Sequence, residues 1–167
     1  TLKQIRENPV QPLIVIIGGA KIEDKLPAVI QMAKIADKVL VGGKIAGELS
    51  AQNHQLSDNV YLANLREDGK DIKEETVQKW APFISNAKMI LWNGPMGYIE
   101  DPKYNQTERI AQLVIESGAE SIVGGGDTVS YLDKLGDLPE FSFVSTGGGA
   151  MLEYLVKGTL PTIKALK

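Results

Sequence analysis

Five short apolar runs in this chain each end in a glycine-rich or glycine-proline tract. They are Ile14-Val15-Ile16-Ile17 before Gly18-Gly19, Val39-Leu40-Val41 before Gly42-Gly43, Met89-Ile90-Leu91-Trp92 before Asn93-Gly94-Pro95-Met96-Gly97, Ile122-Val123 before Gly124-Gly125-Gly126, and Phe141 to Val144 before Ser145-Thr146-Gly147-Gly148-Gly149. Twelve of the 17 glycines fall in these tracts, so glycine is concentrated where strands end rather than spread over turns. Without a Cβ, such a backbone lets a bound group approach its amides and tolerates positive φ. Ligands of open parallel sheets bind beyond the carboxyl ends of the strands, so the pattern predicts one ligand-binding edge.

Between these runs lie helical segments. Asn8-Pro9 and Pro12 close a short polar stretch, Thr1 to Glu7, because residues before proline are driven from helical geometry. The domain proper is expected to span 13–167, with 1–12 a helix end or linker. Pro27 is tolerable where its missing amide is an orphan donor of a first turn, which predicts a helix starting near Asp24 with Val29, Ile30, Ala33 and Ile35 buried. A short helix is expected over Ala46 to Leu49 and a possible strand over Val60 to Leu65. Further helices are expected over Glu74 to Ser85, Thr107 to Glu116 ended by Gly118, Thr128 to Leu135 ended by Gly136, and Met151 to Val156. Strands alternating with helices predict a single doubly wound, Rossmann-like parallel sheet in three α/β/α layers.

Composition narrows the chemistry. With no cysteine, disulfides, thiolate zinc sites and a thiol nucleophile are excluded. A net charge of −3 from 18 basic and 21 acidic residues gives no reason to expect a nucleic-acid or anionic-membrane surface. No apolar stretch approaches the roughly 20 residues of a membrane span, and a cytoplasmic, monomeric protein is expected.

Neither glycine tract that resembles a nucleotide loop completes a known one. Gly18-Gly19-Ala20-Lys21 and Gly124-Gly125-Gly126-Asp127-Thr128 lack the GK[ST] ending of a Walker A loop, and the last position of GxGxxG is missing at Val129 and Leu152. A dispersed site remains. Gly125-Gly126-Asp127-Thr128 opens one helix and Gly147-Gly148-Gly149 another, and two helix N-termini facing one anionic group would suit phosphate. Lys21 and Lys25, one turn apart, would point at the same phosphate edge, or are solvated surface lysines. Asp127 would ligate Mg²⁺ alongside substrate phosphates, or is a helix N-cap. Thr128 would donate to a phosphate, or is a structural first-turn threonine. Glu100 would accept ribose hydroxyls, or is a solvated acid. Asn93 and Pro95 would make a tight turn. His54, the only histidine, has no evident role.

Four stretches in order resemble the carboxyl-terminal, nucleotide-binding domain of phosphoglycerate kinases: Gly18-Gly19-Ala20-Lys21-Ile22-Glu23-Asp24-Lys25; Trp92-Asn93-Gly94-Pro95-Met96-Gly97 with Glu100; Gly124-Gly125-Gly126-Asp127-Thr128; and Ser145-Thr146-Gly147-Gly148-Gly149-Ala150 with Glu153. The resemblance implies phosphoryl transfer between 1,3-bisphosphoglycerate and MgADP, giving 3-phosphoglycerate and MgATP. It implies that Lys21 stands nearest the moving phosphoryl and that Lys25 holds nucleotide phosphates. Asp127 would be the magnesium ligand, Thr128 a phosphate donor and Glu100 the ribose acceptor. Asn93, Gly94 and Pro95 would be a wall beside sugar and phosphates, and Gly147 and Gly148 amides for the phosphoryl in flight. Gly19, Ala20, Gly43, Gly125 and Gly126 would complete the nucleotide contacts. Such chemistry rests on positioning and charge neutralisation rather than a nucleophile.

Two departures stand out. Gly42-Gly43-Lys44-Ile45-Ala46 carries Lys44 where the family has a third glycine, which would crowd or recharge the adenine slot. The segment before Trp92 is shorter, with Tyr61 to Arg66 as a relic of a strand. The amino-terminal domain that would carry the phosphoglycerate is absent from this sequence. The chain alone is therefore expected to bind nucleotide without turnover, the alternative being a kinase-derived, non-catalytic binding or scaffold module.

Overall fold

The computed structural model describes residues 2–145 and 150–157. Six strands form one parallel sheet: β1 (Leu13–Ile17), β2 (Lys38–Val41), β3 (Val60–Leu62), β4 (Met89–Asn93), β5 (Glu120–Gly124) and β6 (Phe143–Ser145). Their order is β3-β2-β1-β4-β5-β6. All neighbours are parallel, with Ile14 opposite Lys38 on one side of β1 and Ile90 on the other. Seven helices complete the described residues: α1 (Leu2–Glu7), α2 (Ile22–Ala33), α3 (Lys44–Ala51), α4 (Glu74–Ser85), α5 (Gln106–Ser117), α6 (Gly126–Leu135) and α7 (Ala150–Lys157). The α4 and α5 helices pack together, and α2 packs against both α3 and α7, giving the expected three-layer α/β/α architecture.

The central strands β1 and β4 are apolar but for Asn93 because helices cover both faces of the sheet. Every residue of β1 and β4 is buried. Trp80 of α4 and Trp92 of β4 are the bulkiest fully buried side chains. The expected stops hold, since Gly118 and Gly136 adopt left-handed backbone at the ends of α5 and α6. No helix among the described residues is long and apolar enough to cross a membrane.

Several boundaries differ from the sequence reading. Helix α2 starts at Ile22, two residues before Asp24, so Pro27 lies in its second turn. The carbonyl that Pro27 cannot serve is that of Glu23, and both residues are exposed, so water can take it. The buried face of α2 is Ala28, Val29 and Met32; Ile30 is 48% exposed and Ile35 lies beyond the helix. Strand β3 ends at Leu62, and Leu65 makes an isolated antiparallel bridge to Ile72. Phe141 precedes β6 at the end of a 3-10 turn, Leu138–Glu140, and packs against Trp92.

Candidate functional site

Strand order reverses between β1 and β4, and the loops leaving these strands lie backbone to backbone. Gly18 N–H donates to the Asn93 carbonyl and Gly19 N–H to that of Pro95, both at 2.9 Å. A Cβ on Gly18 would stand 2.2 Å from the Pro95 carbonyl oxygen. Gly94 has φ +101°, and a Cβ there would stand 2.1 Å from the Gly18 oxygen. Only glycine fits either place.

The turn after β4 is held by its neighbours' side chains. Trp92 Nε1 donates to the Gly94 carbonyl at 2.8 Å, and Gly94 N–H donates to Oγ1 of Thr128 at 3.0 Å. Met96 N–H donates to Oγ1 of Thr107 at 3.0 Å. Thr128 is fully buried and braces the turn as a structural first-turn threonine, and it also lines the cleft above.

A cleft of about 310 Å³ opens above these loops and brings together Gly19, Ala20, Lys21, Lys25, Asn93, Gly94, Pro95, Gly125, Gly126, Asp127 and Thr128, with Asp24. Gly125 is the N-cap of α6, so Asp127 is a first-turn residue and not the cap. Lys21, exposed, is the N-cap of α2. Lys25 Nζ donates to Asn93 Oδ1. Burial pulls the Lys25 ammonium below its ordinary value, against the opposing pull of Asp24 and Asp127. Asn93 is 1% exposed, and its Nδ2 has no partner among the described residues.

A second compartment, about 280 Å³, adjoins the first across Gly19, Ala20, Pro95 and Asp127 and holds Gly43 and Glu100. Four further lining residues were not foreseen: Gly69, Lys70, Tyr98 and Ile99. Asp68-Gly69 signals a turn but not its destination, and Tyr98-Ile99 carried only the hint of standing next to Glu100. The turn that brings Lys70 here is fixed by Tyr98 N–H donating to the Lys70 carbonyl at 2.7 Å and by Tyr104 Oη donating to Asp68 at 2.9 Å. Beneath it, Asp71 is 1% exposed and accepts N–H bonds from Ile72 at 2.9 Å and Gln106 at 3.1 Å. Burial pushes its carboxyl above the ordinary value despite those two donors. Asp71 thus caps α5 from another part of the chain, since Asn105 makes no side-chain cap bond.

These residues fit a magnesium nucleotide. The buried, unpartnered Asn93 amide and the half-buried Lys25 ammonium are donors beside a glycine cradle, as anionic oxygens require. Among the described residues no group of three or more acidic or histidine side chains forms a metal cage, and a single carboxylate such as Asp127 suits an ion that arrives with phosphates. Gly147 and Gly148 lie outside the described residues.

The sequence profile described as Phosphoglycerate kinase matches residues 1–68 and 50–158. The overlap falls on the segment read above as shortened. Two solved structures are similar across 99% of this chain: phosphoglycerate kinase from Coxiella burnetii, 32% identical with a TM-score of 0.85, and Phosphoglycerate Kinase from Pyrococcus horikoshii OT3, 25% identical with a TM-score of 0.84. This chain spans 56% and 54% of their respective lengths. The chain belongs to the phosphoglycerate kinase family.

Proposed function

We propose that this chain is the nucleotide-binding half of a phosphoglycerate kinase. It holds MgADP or MgATP with the phosphates in the cleft over β1 and β4 and the nucleoside in the adjoining compartment. A phosphoryl group passes between the acyl phosphate of 1,3-bisphosphoglycerate and ADP when a phosphoglycerate-binding domain closes on that cleft. The observation carrying this reading is the convergence of Lys25, the unpartnered amide of Asn93 and the first turn of α6 on one glycine-lined cleft.

Each residue has a task in that reading. Lys25 and Asn93 hold nucleotide phosphates, and exposed Lys21 reaches the group in transfer. The amides opening α6 favour negative charge at the helix N-terminus. Asp127 holds the metal, which when bound neutralises phosphate charge and fixes the oxygens for in-line attack. Glu100 accepts the ribose hydroxyls, with Pro95 as the wall between sugar and phosphates. Gly147 and Gly148 supply amides to the phosphoryl in flight. Closure of the second domain would expel water, so this chain by itself binds without turnover. Helix α1, which buries Ile5 and donates from Arg6 Nε to the Leu155 carbonyl at 3.3 Å, would be the end of the interdomain connection.

Calorimetric titration with ADP, with and without Mg²⁺, tests the reading. Saturable, magnesium-sensitive binding that loses its magnesium dependence in Asp127→Ala is expected. Absence of binding would reject it in favour of a non-catalytic module.

A further inference from the structure

The nucleoside compartment is bordered by two lysines, and together they bear on which base it takes. Lys44 is the first residue of α3, directly after Gly43, whose φ of +69° turns the chain out of β2. Lys70 belongs to the turn clamped against Tyr98, and its Nζ lies 5.9 Å from the Tyr98 ring centroid. Both line the compartment and neither makes an ion pair with a described residue. Its remaining charged side chains are the carboxylates of Glu100 and Asp127. Tyr98, Ile99 and the glycine floor offer flat, largely apolar surfaces against which a purine can lie.

An ammonium group donates hydrogen bonds and accepts none. A 6-aminopurine keeps the N7 acceptor but presents a donor at position 6, so a lysine on that edge finds one acceptor and one like donor. A 6-oxopurine presents O6 and N7 as adjacent acceptors, the edge to which lysine pairs in base recognition. We infer that Lys44 and Lys70 make this compartment selective for 6-oxopurine nucleotides, guanosine and inosine diphosphates, over adenosine diphosphate. The inference rests on the nucleotide-binding reading above and deepens it.

The test is calorimetric titration of the purified protein with MgADP, MgGDP and MgIDP, repeated on Lys44→Ala, Lys70→Ala and the double variant. Both lysines are exposed, so these variants are expected to fold, and circular dichroism checks that they do. GDP and IDP are each expected to bind about tenfold more tightly than ADP, at the lower end of what one base-edge contact gives because the lysines are solvated. In the double variant the preference should vanish while ADP affinity changes little. IDP lacks the 2-amino group, so its binding like GDP assigns the reading to O6 and N7. Adenosine diphosphate binding as tightly as GDP overturns the inference and leaves the nucleotide reading intact. Equal weakening of all three nucleotides in the lysine variants also overturns it, since the lysines would then serve only to attract phosphate. Failure of all three to bind rejects the nucleotide reading, and the inference with it.

Discussion

Gly94 donates its amide to the hydroxyl oxygen of Thr128, 34 residues later, at 3.0 Å. The bond ties the turn after β4 to the first turn of α6, so two walls of the glycine-lined cleft share one buried contact. Thr128→Val keeps the shape and removes the acceptor, stranding a buried N–H, and is expected to cost about 1–3 kcal/mol. Thr128→Ser should cost less. Denaturant unfolding of the three proteins measures this, and a greater loss in Thr128→Ser than in Thr128→Val would mean that packing of the methyl group outweighs the bond.

Gly94 and Gly126 separate space needed by the fold from space needed by a ligand. Gly94→Ala forces a Cβ into the Gly18 carbonyl at positive φ, and loss of folded protein is expected. A Cβ on Gly126 meets nothing within 4 Å, so Gly126→Ala should unfold at or slightly above the parent's denaturant midpoint. It would nonetheless place a methyl where α6 opens on the cleft, so a several-fold loss of MgADP affinity is expected. Unaltered affinity would remove the amides of that turn from the phosphate site.

Burial lowers the Lys25 ammonium from 10.5 in the protein without ligand, and an adjacent phosphate would raise it again. Nucleotide binding is therefore expected to take up protons at alkaline pH, and affinity to fall as pH rises through the lowered value. Stability without nucleotide has the opposite slope. The unfolded chain keeps this proton longer, so stability rises between the lowered value and 10.5. Calorimetry in buffers of different ionisation enthalpy detects the uptake, which Lys25→Met should abolish.

Asp71 joins the turn holding Lys70 to the start of α5. In Asp71→Asn only one side-chain oxygen is left to accept the N–H groups of Ile72 and Gln106, so a loss of about 1–3 kcal/mol is expected. The raised carboxyl means that the fold favours the protonated form. Its contribution is full below 3.8 and is lost as pH rises through the folded value. The stability difference between parent and variant should thus be larger in acid than at neutrality, as urea titrations across that range would reveal.

The apolar runs ending in glycine revealed the central strands and the edge at which they end, because a strand buried on both faces leaves an uninterrupted apolar signature. Local rules served less well for α2. Its early start depends on Glu23 and Pro27 facing water, and exposure is a tertiary property. The glycine-lined cleft over β1 and β4 was legible because its residues stand in contiguous words such as Gly124 to Thr128. The far wall was not. Lys70 reaches it through a backbone bond to Tyr98, 28 positions away, and no local pattern encodes that pairing. Asp71 was equally hidden, since its value as a cap depends on Gln106 arriving beside it.

The strand order has a mechanical consequence. Strands β3, β2 and β1 come from the first part of the chain, and β4, β5 and β6 from the second. The cleft sits on the seam, with Lys25 contributed from one side and Asn93, Gly94 and Asp127 from the other. A molecule lodged there acts as a fastener between two sequence-contiguous halves, so its grip would resist their parting and raise the melting temperature of the whole sheet with ligand concentration.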